Sequence, residues 1–218
     1  MIDWERIQTV FLDMDGTLLD LNFDNHFWCD FVPRRYAENH GLSITEARAR
    51  LTPRFRALEG KLEWYCLDYW SEALDLDMAG LKEELAGLIA VLPHVTEFLS
   101  AVRKAGKRLV LVTNAHPRSL SLKMDRTRLH AFFDRLVCSH SFGFPKEHAD
   151  FWRRLHEEQP YDAHATMLVD DSLAVLRSAR TYGIGTIVAV RRADSTQPPR
   201  TIDEFDAIDD FREIMPPC

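Results

Sequence analysis

The chain has 218 residues, of which 46% are hydrophobic and 28% are charged. Both fractions are close to the averages of globular proteins, so the composition excludes a disordered or fibrous class. The length indicates one full-sized domain, or one core domain that carries a smaller insert. The formal net charge of −7 argues against a broad nucleic-acid-binding face, because such a face needs clustered Lys and Arg.

Membrane and export signals are absent from the sequence pattern. No apolar run approaches the roughly 18 residues of a membrane span. The first residues, MIDWERIQTV, carry acids and lack the apolar segment of a secretory signal. These features predict a cytoplasmic protein without a membrane partner. The cysteines at positions 29, 66, 138 and 218 form no C-x-x-C pair, so we expect plain thiols.

Short segments rich in β-branched and aliphatic residues predict buried strands. Helical patterns lie between the later segments, and residues 94–105 and 173–182 each carry an apolar stripe that is followed by glycine. Strands that alternate with helices predict a doubly wound α/β fold with a parallel sheet. We expect the tail from residue 196 to wrap over the surface. The predicted strands are residues 7–13, 108–113, 136–140, 166–170 and 184–190.

The stretch between the first two predicted strands is far longer than a crossover of one helix. Its pattern is helical at residues 23–32, 44–59 and 62–74. An inserted all-helical cap on an α/β core explains both features, with hinges near its two ends. The predicted domains are a core of residues 1–19 and 93–218 and a cap of residues 20–92.

The predicted cap is rich in aromatic residues, and two interpretations of them remain open. They can pack against each other inside the cap, or they can line a ligand pocket and stack on a flat base. The residues concerned are Trp28, Trp64, Tyr65, Tyr69 and Trp70.

Two carboxylates end the first predicted strand, in the stretch FLDMDGTLLD. Asp13 and Asp15 therefore lie at the carboxyl end of a strand, where open α/β sheets bind ligands. One carboxylate can attack phosphorus and form an acyl phosphate, while a second can pass a proton to the leaving oxygen. Gly16 permits a tight turn that brings backbone N–H groups toward phosphoryl oxygens. Solvated acids in an ordinary turn are the alternative interpretation.

Further polar residues follow the later predicted strands at the same rim. Thr113 and Asn114 offer a hydroxyl and an N–H to a phosphoryl oxygen, and Lys146 can neutralise the charge that develops there. Asp170 and Asp171 would complete a site of hard oxygen ligands for Mg²⁺, because adjacent buried acids repel each other without a cation. Each signal alone is also typical of turns or surfaces. Four signals at successive strand ends predict one phosphoryl-transfer site.

These motifs, in this order, resemble those of the haloacid dehalogenase superfamily, and the resemblance covers nearly the whole chain, including the helical insert. It implies a phosphohydrolase in which Asp13 is the nucleophile and Asp15 is the general acid and base. The matching motifs are Asp13-Met14-Asp15-Gly16-Thr17, Thr113-Asn114, Lys146 and Asp170-Asp171. The resemblance implies that Thr113, Asn114 and Lys146 bind the phosphoryl group. It also implies that Asp13, Asp15 and Asp170 hold Mg²⁺, and that Asp171 either binds the metal directly or contacts its ligands.

A closer resemblance is to the bacterial GMP/IMP 5′-nucleotidases of this superfamily. It rests on the stretches LDMDGTLLDLNFDNHFW, LEWYCLDYWSEAL, LVTNAHP, HSFGFPKE and VDDS. The second stretch lies in the predicted cap, which helps to select the substrate in capped members. The resemblance implies hydrolysis of IMP and GMP to nucleoside and phosphate.

Other functions with the same core motifs remain open. A sugar-phosphate phosphatase or a phosphomutase would use the same nucleophile and metal. A true dehalogenase would attack carbon without a metal and would leave Asp15 and the Asp170-Asp171 pair without a role. A receiver-like phospho-acceptor module is not an enzyme, lacks a helical insert and carries its phospho-accepting Asp on a later strand than its acidic pair. The sequence does not indicate an oligomeric state.

Overall fold

A six-stranded parallel sheet forms the centre of the structure, a computed structural model that describes residues 2–217. The strands are β1 (Thr9–Leu12), β2 (Arg108–Thr113), β3 (Arg135–Cys138), β4 (Thr166–Asp170), β5 (Thr186–Val190) and β6 (Asp206–Ile208). Their order in the sheet is β3-β2-β1-β4-β5-β6, so β1 lies between β2 and β4. This topology confirms the predicted doubly wound parallel fold and places its switch point at the carboxyl end of β1.

Helices cover both faces of this sheet. Every residue of β1 and of β4 is buried, as expected for strands that are covered on both sides. Phe98 and Leu99 pack on one face, and Trp152 and Leu176 pack on the other. The helices of this part are α7 (Val95–Lys104), α8 (Pro117–Thr127), α9 (Ala149–Glu158) and α10 (Leu173–Tyr182), numbered after the six helices between β1 and β2. Two of them, α7 and α10, confirm the helices predicted from the sequence.

The C-terminal segment contributes to the sheet, which the sequence did not reveal. Strand β6 pairs with β5 in parallel, with Ile208 opposite Val190. Beyond it, Phe211 is buried against Phe98, with ring centroids 4.7 Å apart. The prediction of a surface wrap was wrong for this part, because a three-residue edge strand is too short to give a periodic signal.

Helices fill the long connection between β1 and β2. Their apolar sides form a hydrophobic cluster of their own, in which Trp70 is fully buried. On this basis we propose that residues 20–92 form a cap on a core of residues 1–19 and 93–218. The helices are α1 (Asn22–His26), α2 (Val32–His40), α3 (Ile44–Leu58), α4 (Leu62–Tyr65), α5 (Leu67–Leu74) and α6 (Met78–Glu84), and one π-helical turn, Phe27–Phe31, joins α1 to α2.

The predicted helix over residues 62–74 is broken in two at Cys66. Cys66 has extended backbone angles, φ −86° and ψ 109°, and its sulfur accepts a hydrogen bond from the backbone N–H of Tyr69. The indole N–H of Trp70 donates to the carbonyl oxygen of Trp64 at 3.0 Å. These two side-chain contacts cap the broken ends, so the break leaves Tyr65 as the last residue of α4.

Two further expectations concern the thiols and the surroundings of the protein. Cys29, Cys66 and Cys138 are free thiols, as predicted, and Cys218 lies outside the described residues. Within residues 2–217, none of the helices has the length and apolar character that crossing a membrane requires. The cytoplasmic location stays a prediction.

Candidate active site

The carboxyl ends of β1, β2 and β4 bring the predicted site residues together. In the sheet, Leu12 is opposite both Leu111 and Val169, so the next residues along each strand meet at one rim. Asp13 and Asp170 lie at this rim, and both are buried. The rim therefore contains the nucleophile that the first motif predicts and the acid that the fourth motif predicts.

Lys146 connects the two carboxylates. Its ammonium group donates to Asp13 Oδ1 at 2.5 Å, to Asp170 Oδ2 at 2.7 Å and to the carbonyl oxygen of Val112 at 3.0 Å. Burial lowers the pKa of Lys146, but the two carboxylates outweigh burial and the net pKa lies above its ordinary value. Lys146 therefore remains a cation in contact with the predicted nucleophile.

A third carboxylate, that of Asp171, completes what we call the Lys146 cluster: Asp13, Lys146, Asp170 and Asp171. One carboxylate oxygen from each acid lies within 4.8 Å of the others. Burial, and then the charges of Asp170 and Asp13, raise the pKa of Asp171 well above its ordinary value. Burial raises the pKa of Asp13 to about 6 despite the adjacent ammonium. The cluster holds more negative charge than its lysine balances.

The chemistry of this donor set fits Mg²⁺. All three ligand groups are carboxylates, and a small hard cation prefers oxygen ligands. The backbone supports the same arrangement at Gly16, which has a φ of +83°. A Cβ atom at this position would lie 2.7 Å from the carboxylate carbon of Asp171, so glycine is required for this close approach.

Asp15 belongs to a second group of buried charges, which the sequence did not reveal. We call Asp15, Asp24, Lys82 and Lys123 the Lys123 cluster. The ammonium of Lys123 donates to Asp15 Oδ1 and to Asp24 Oδ2, each at 2.6 Å. Lys82 donates to the other oxygen of Asp24 at 2.5 Å. Both lysines are almost completely buried.

The Lys123 cluster joins the helices between β1 and β2 to the helices of the core. Asp24 comes from α1, Lys82 from α6 and Lys123 from α8. Burial raises the pKa of Asp24, but the two ammonium groups outweigh it, so the net pKa lies below its ordinary value. For Asp15, burial dominates and raises the pKa to about 6. The only sequence signal for Lys123 was its position within the apolar helix face that Leu120 and Met124 form.

Thr113 and Asn114 both lie at the rim, but their side chains are engaged differently. Thr113 Oγ1 accepts a hydrogen bond from the N–H of Ala115 at 3.0 Å, which leaves its hydroxyl proton for another acceptor. Asn114 Oδ1 accepts from the N–H of Lys146, and Asn114 Nδ2 donates to Glu147 Oε2, both at 2.9 Å. Both ends of the Asn114 side-chain amide are therefore engaged, and its contact with a phosphoryl group stays a prediction.

A cavity of about 650 Å³ extends from this rim to the helices between β1 and β2. Its volume is typical of sites that bind small organic molecules. The far wall combines aromatic rings with polar side chains from one face of α3. The wall includes Trp28, Phe55, Trp64 and Tyr65, together with Arg48, Arg56 and Glu59.

The two interpretations of the aromatic residues apply to different members. Trp28, Trp64 and Tyr65 line the cavity. Trp70 is fully buried in the neighbouring hydrophobic cluster, and Tyr69 is 38% exposed. Trp28 and Trp64 also stack on each other, with ring centroids 5.5 Å apart. The aromatic wall therefore contains fewer of these five residues than the sequence indicated, and two of its rings contact each other.

Several known proteins resemble this chain in sequence or in fold. The GMP/IMP nucleotidase YrfG of Escherichia coli is 37% identical over 215 residues, which cover 99% of this chain and 97% of the relative. The glyceraldehyde 3-phosphate phosphatase of Pyrococcus abyssi is 25% identical over 83% of this chain and 80% of its own. A solved phosphatase structure from Thermococcus onnurineus has a TM-score of 0.78 at 22% identity and covers 95% of this chain and 96% of that one, which shows a shared fold.

A family model described as haloacid dehalogenase-like hydrolase matches residues 7–183. This range contains all four motifs and the helices between β1 and β2. Together with the relative that is 37% identical over almost the entire length, the match establishes that the chain belongs to the haloacid dehalogenase-like hydrolases.

Proposed function

We propose that the protein is a Mg²⁺-dependent phosphomonoester hydrolase that acts on the purine 5′-monophosphates IMP and GMP. The observation that carries this proposal is the contact between Asp13 and Lys146 at the floor of a cavity whose far wall is aromatic. The 37% identity to a relative named as a GMP/IMP nucleotidase supports the choice of substrate.

In the first step, Asp13 attacks the phosphorus atom. A bond forms between the carboxylate oxygen and phosphorus, the bond to the ribose oxygen breaks, and Asp15 gives that oxygen its proton. Lys146 and the Thr113 hydroxyl contact the phosphoryl oxygens and offset their charge. The products of this step are a nucleoside and an aspartyl phosphate on Asp13.

In the second step, water hydrolyses the aspartyl phosphate. Asp15 takes a proton from the attacking water, the bond between Asp13 and phosphorus breaks, and inorganic phosphate leaves. Lys123 keeps the Asp15 carboxylate in place through the 2.6 Å hydrogen bond. Each cycle therefore restores Asp13 as a carboxylate and Asp15 as an acid.

The carboxylates of Asp13, Asp170 and Asp171 and the carbonyl oxygen of Asp15 would hold the Mg²⁺. A bound Mg²⁺ supplies the positive charge that lets an anionic carboxylate approach an anionic phosphate. The excess of carboxylates over ammonium groups in the Lys146 cluster supports this assignment.

The far wall of the cavity suits a purine. An aromatic face can stack on a base for about 1–3 kcal/mol, which a sugar phosphate does not gain. IMP and GMP share a 6-oxo group and an N1–H, and Arg56 and Glu59 at this wall supply a donor and an acceptor. AMP carries an amine and a bare N1, so a site built for IMP and GMP leaves polar groups unpaired with AMP.

A panel of substrates at saturating Mg²⁺ tests this proposal. We expect kcat/KM for IMP and GMP to exceed that for pyrimidine monophosphates and hexose phosphates by at least about 10-fold, or about 1.4 kcal/mol. AMP should also be a poorer substrate than either. A hexose phosphate or a pyrimidine nucleotide as the best substrate would overturn the nucleotidase assignment and leave the phosphohydrolase mechanism in place.

A further inference from the structure

A chain of hydrogen bonds connects the cavity wall to the backbone of Lys146. The hydroxyl of Tyr65 donates to Glu147 Oε1 at 2.6 Å, and Asn114 Nδ2 donates to Glu147 Oε2 at 2.9 Å. The other end of the Asn114 amide, Oδ1, accepts from the N–H of Lys146 at 2.9 Å. Both oxygens of one carboxylate are therefore used, one by α4 and one by the loop that follows β2.

We propose that Tyr65 is a positioning residue. When α4 lies against the core, Tyr65 acts through Glu147 and Asn114 to hold Lys146 in contact with Asp13. This inference rests on the proposed function, because it gives Lys146 the task of contacting the nucleophile and the phosphoryl group. Tyr65 would touch no reacting atom in this role.

The local structure explains why Tyr65 can reach the core. Tyr65 is the last residue of α4, and the chain turns sharply at Cys66 instead of continuing as one helix. The carbonyl of Trp64 is capped by the indole of Trp70, so the turn is stabilised from inside the neighbouring hydrophobic cluster. An unbroken helix over residues 62–74 would provide no such turn at Tyr65.

The hydroxyl of Tyr65 acts as a donor. Burial, and then the adjacent Glu147 carboxylate, raise the pKa of Tyr65 above its ordinary value, so the hydroxyl stays protonated. A hydrogen bond from a neutral donor to a carboxylate is among the stronger ones. The contact joins α4 to the loop of Lys146 without adding charge to the cavity.

Lys146 has two backbone anchors, and only one of them depends on Tyr65. Its carbonyl oxygen accepts from the indole N–H of Trp152, a residue of α9, at 2.9 Å. Its N–H is held by Asn114, whose amide is oriented by Glu147. Loss of the Tyr65 hydroxyl should therefore loosen the loop without unfolding it.

The Tyr65→Phe variant removes only the hydroxyl, and Tyr69→Phe is the matched control, because Tyr69 is an exposed tyrosine on α5. We expect Tyr65→Phe to lower kcat by about 10-fold for both IMP and phenyl phosphate, with KM changed by less than about 2-fold. Phenyl phosphate carries no purine, so it reports on Lys146 even if the substrate assignment fails. An unchanged kcat, or a rise in KM for IMP alone, would overturn the proposal.

Hydrogen exchange provides a readout that needs no turnover. The Lys146 amide should exchange about 10-fold faster in Tyr65→Phe than in Tyr69→Phe, because its acceptor is less firmly held. This comparison remains decisive if the wild-type protein hydrolyses neither substrate. Equal exchange in the two variants would contradict the proposed connection.

A second variant tests the middle of the chain. Glu147→Ala removes both carboxylate oxygens, so the Tyr65 hydroxyl and the Asn114 amide each lose their hydrogen-bond acceptor. We expect its kcat to resemble that of Tyr65→Phe and the double variant to be no slower than about 2-fold below either single variant. Losses that multiply would show that the two residues act independently and would overturn the proposal.

Discussion

The two clusters of buried charges contain the same residue types but differ in their balance. The Lys146 cluster has three carboxylates and one ammonium group, and Arg200 approaches it only from a half-exposed position, 3.6 Å from Asp171. The Lys123 cluster has two carboxylates and two ammonium groups. Asp13 and Asp15 are separated by a single residue in the sequence and belong to different clusters.

This difference in charge balance distinguishes a site that needs an additional cation from a site whose charges already balance. Burial raises the pKa of Asp13 and of Asp15 to about 6, one in each cluster, so the clusters differ in their other acids: the pKa of Asp24 lies below its ordinary value, whereas that of Asp171 lies well above it. Excess negative charge in a buried site is costly unless a cation binds there. The Lys146 cluster is thus suited to hold a divalent metal, and the Lys123 cluster is suited to position Asp15.

The largest expected effect concerns Asp13, the proposed nucleophile. Asp13→Asn keeps the size of the side chain but removes the attacking oxygen's charge, so kcat should fall by at least about 10³-fold, equivalent to about 4 kcal/mol. Steady-state kinetics with IMP measures this loss, and a thermal melt checks that the variant is folded. Wild-type turnover in a folded variant would rule out the covalent mechanism.

Neutralising one carboxylate in each cluster should change stability in opposite directions. Asp24 has a lowered pKa, so its charge stabilises the fold at all pH values above its ordinary pKa. We therefore expect Asp24→Asn to lower the free energy of unfolding by about 3 kcal/mol at pH 7. Burial and the charges of Asp170 and Asp13 raise the pKa of Asp171, so this carboxyl lowers the stability of the metal-free fold at pH 7, and Asp171→Asn should raise the free energy of unfolding by about 1 kcal/mol.

Urea unfolding in the presence of a chelator measures both changes. Asp206→Asn, an exposed position on β6, is the control and should shift the free energy of unfolding by less than about 0.5 kcal/mol. Changes of the same sign at Asp24 and Asp171 would remove the distinction between the clusters.

A smaller effect than that of Asp24→Asn is expected for Lys82. Burial lowers the pKa of Lys82 even though Asp24 acts in the opposite direction, so its charge is held at a cost. Lys82→Met removes this cost together with the ion pair to Asp24, which Lys123 still contacts. A methionine can also pack on the rings of Phe23 and Phe27. Urea unfolding should show a loss of about 1 kcal/mol. A loss as large as that of Asp24→Asn would indicate that Lys123 alone does not balance Asp24.

The sequence predicted the Lys146 cluster because each member lies at or directly after a strand, or in the loop beyond one. Parallel strands place their carboxyl ends at one edge, so residues far apart in sequence, such as Asp13 and Asp170, are brought together by the sheet alone. The same rule placed Thr113 at the rim. No side-chain packing had to be known for these predictions.

The Lys123 cluster could not be predicted in the same way. Asp24, Lys82 and Lys123 come from three helices whose relative placement depends on tertiary packing rather than on strand register. The break at Cys66 was missed for a similar reason, because the contacts that stabilise it come from Trp70 in the next helix. Because the sequence pattern does not predict this break, it does not predict the contact between Tyr65 and Glu147 either.

A titration with Mg²⁺ by calorimetry tests the central claim most directly. The wild-type protein should bind one Mg²⁺, Asp24→Asn should bind it with an affinity within about 3-fold of wild type, and Asp171→Asn should bind it at least about 10-fold more weakly. This pattern would place the cation at the Lys146 cluster. Absence of binding to the wild type, or equal weakening in the two variants, would contradict the account.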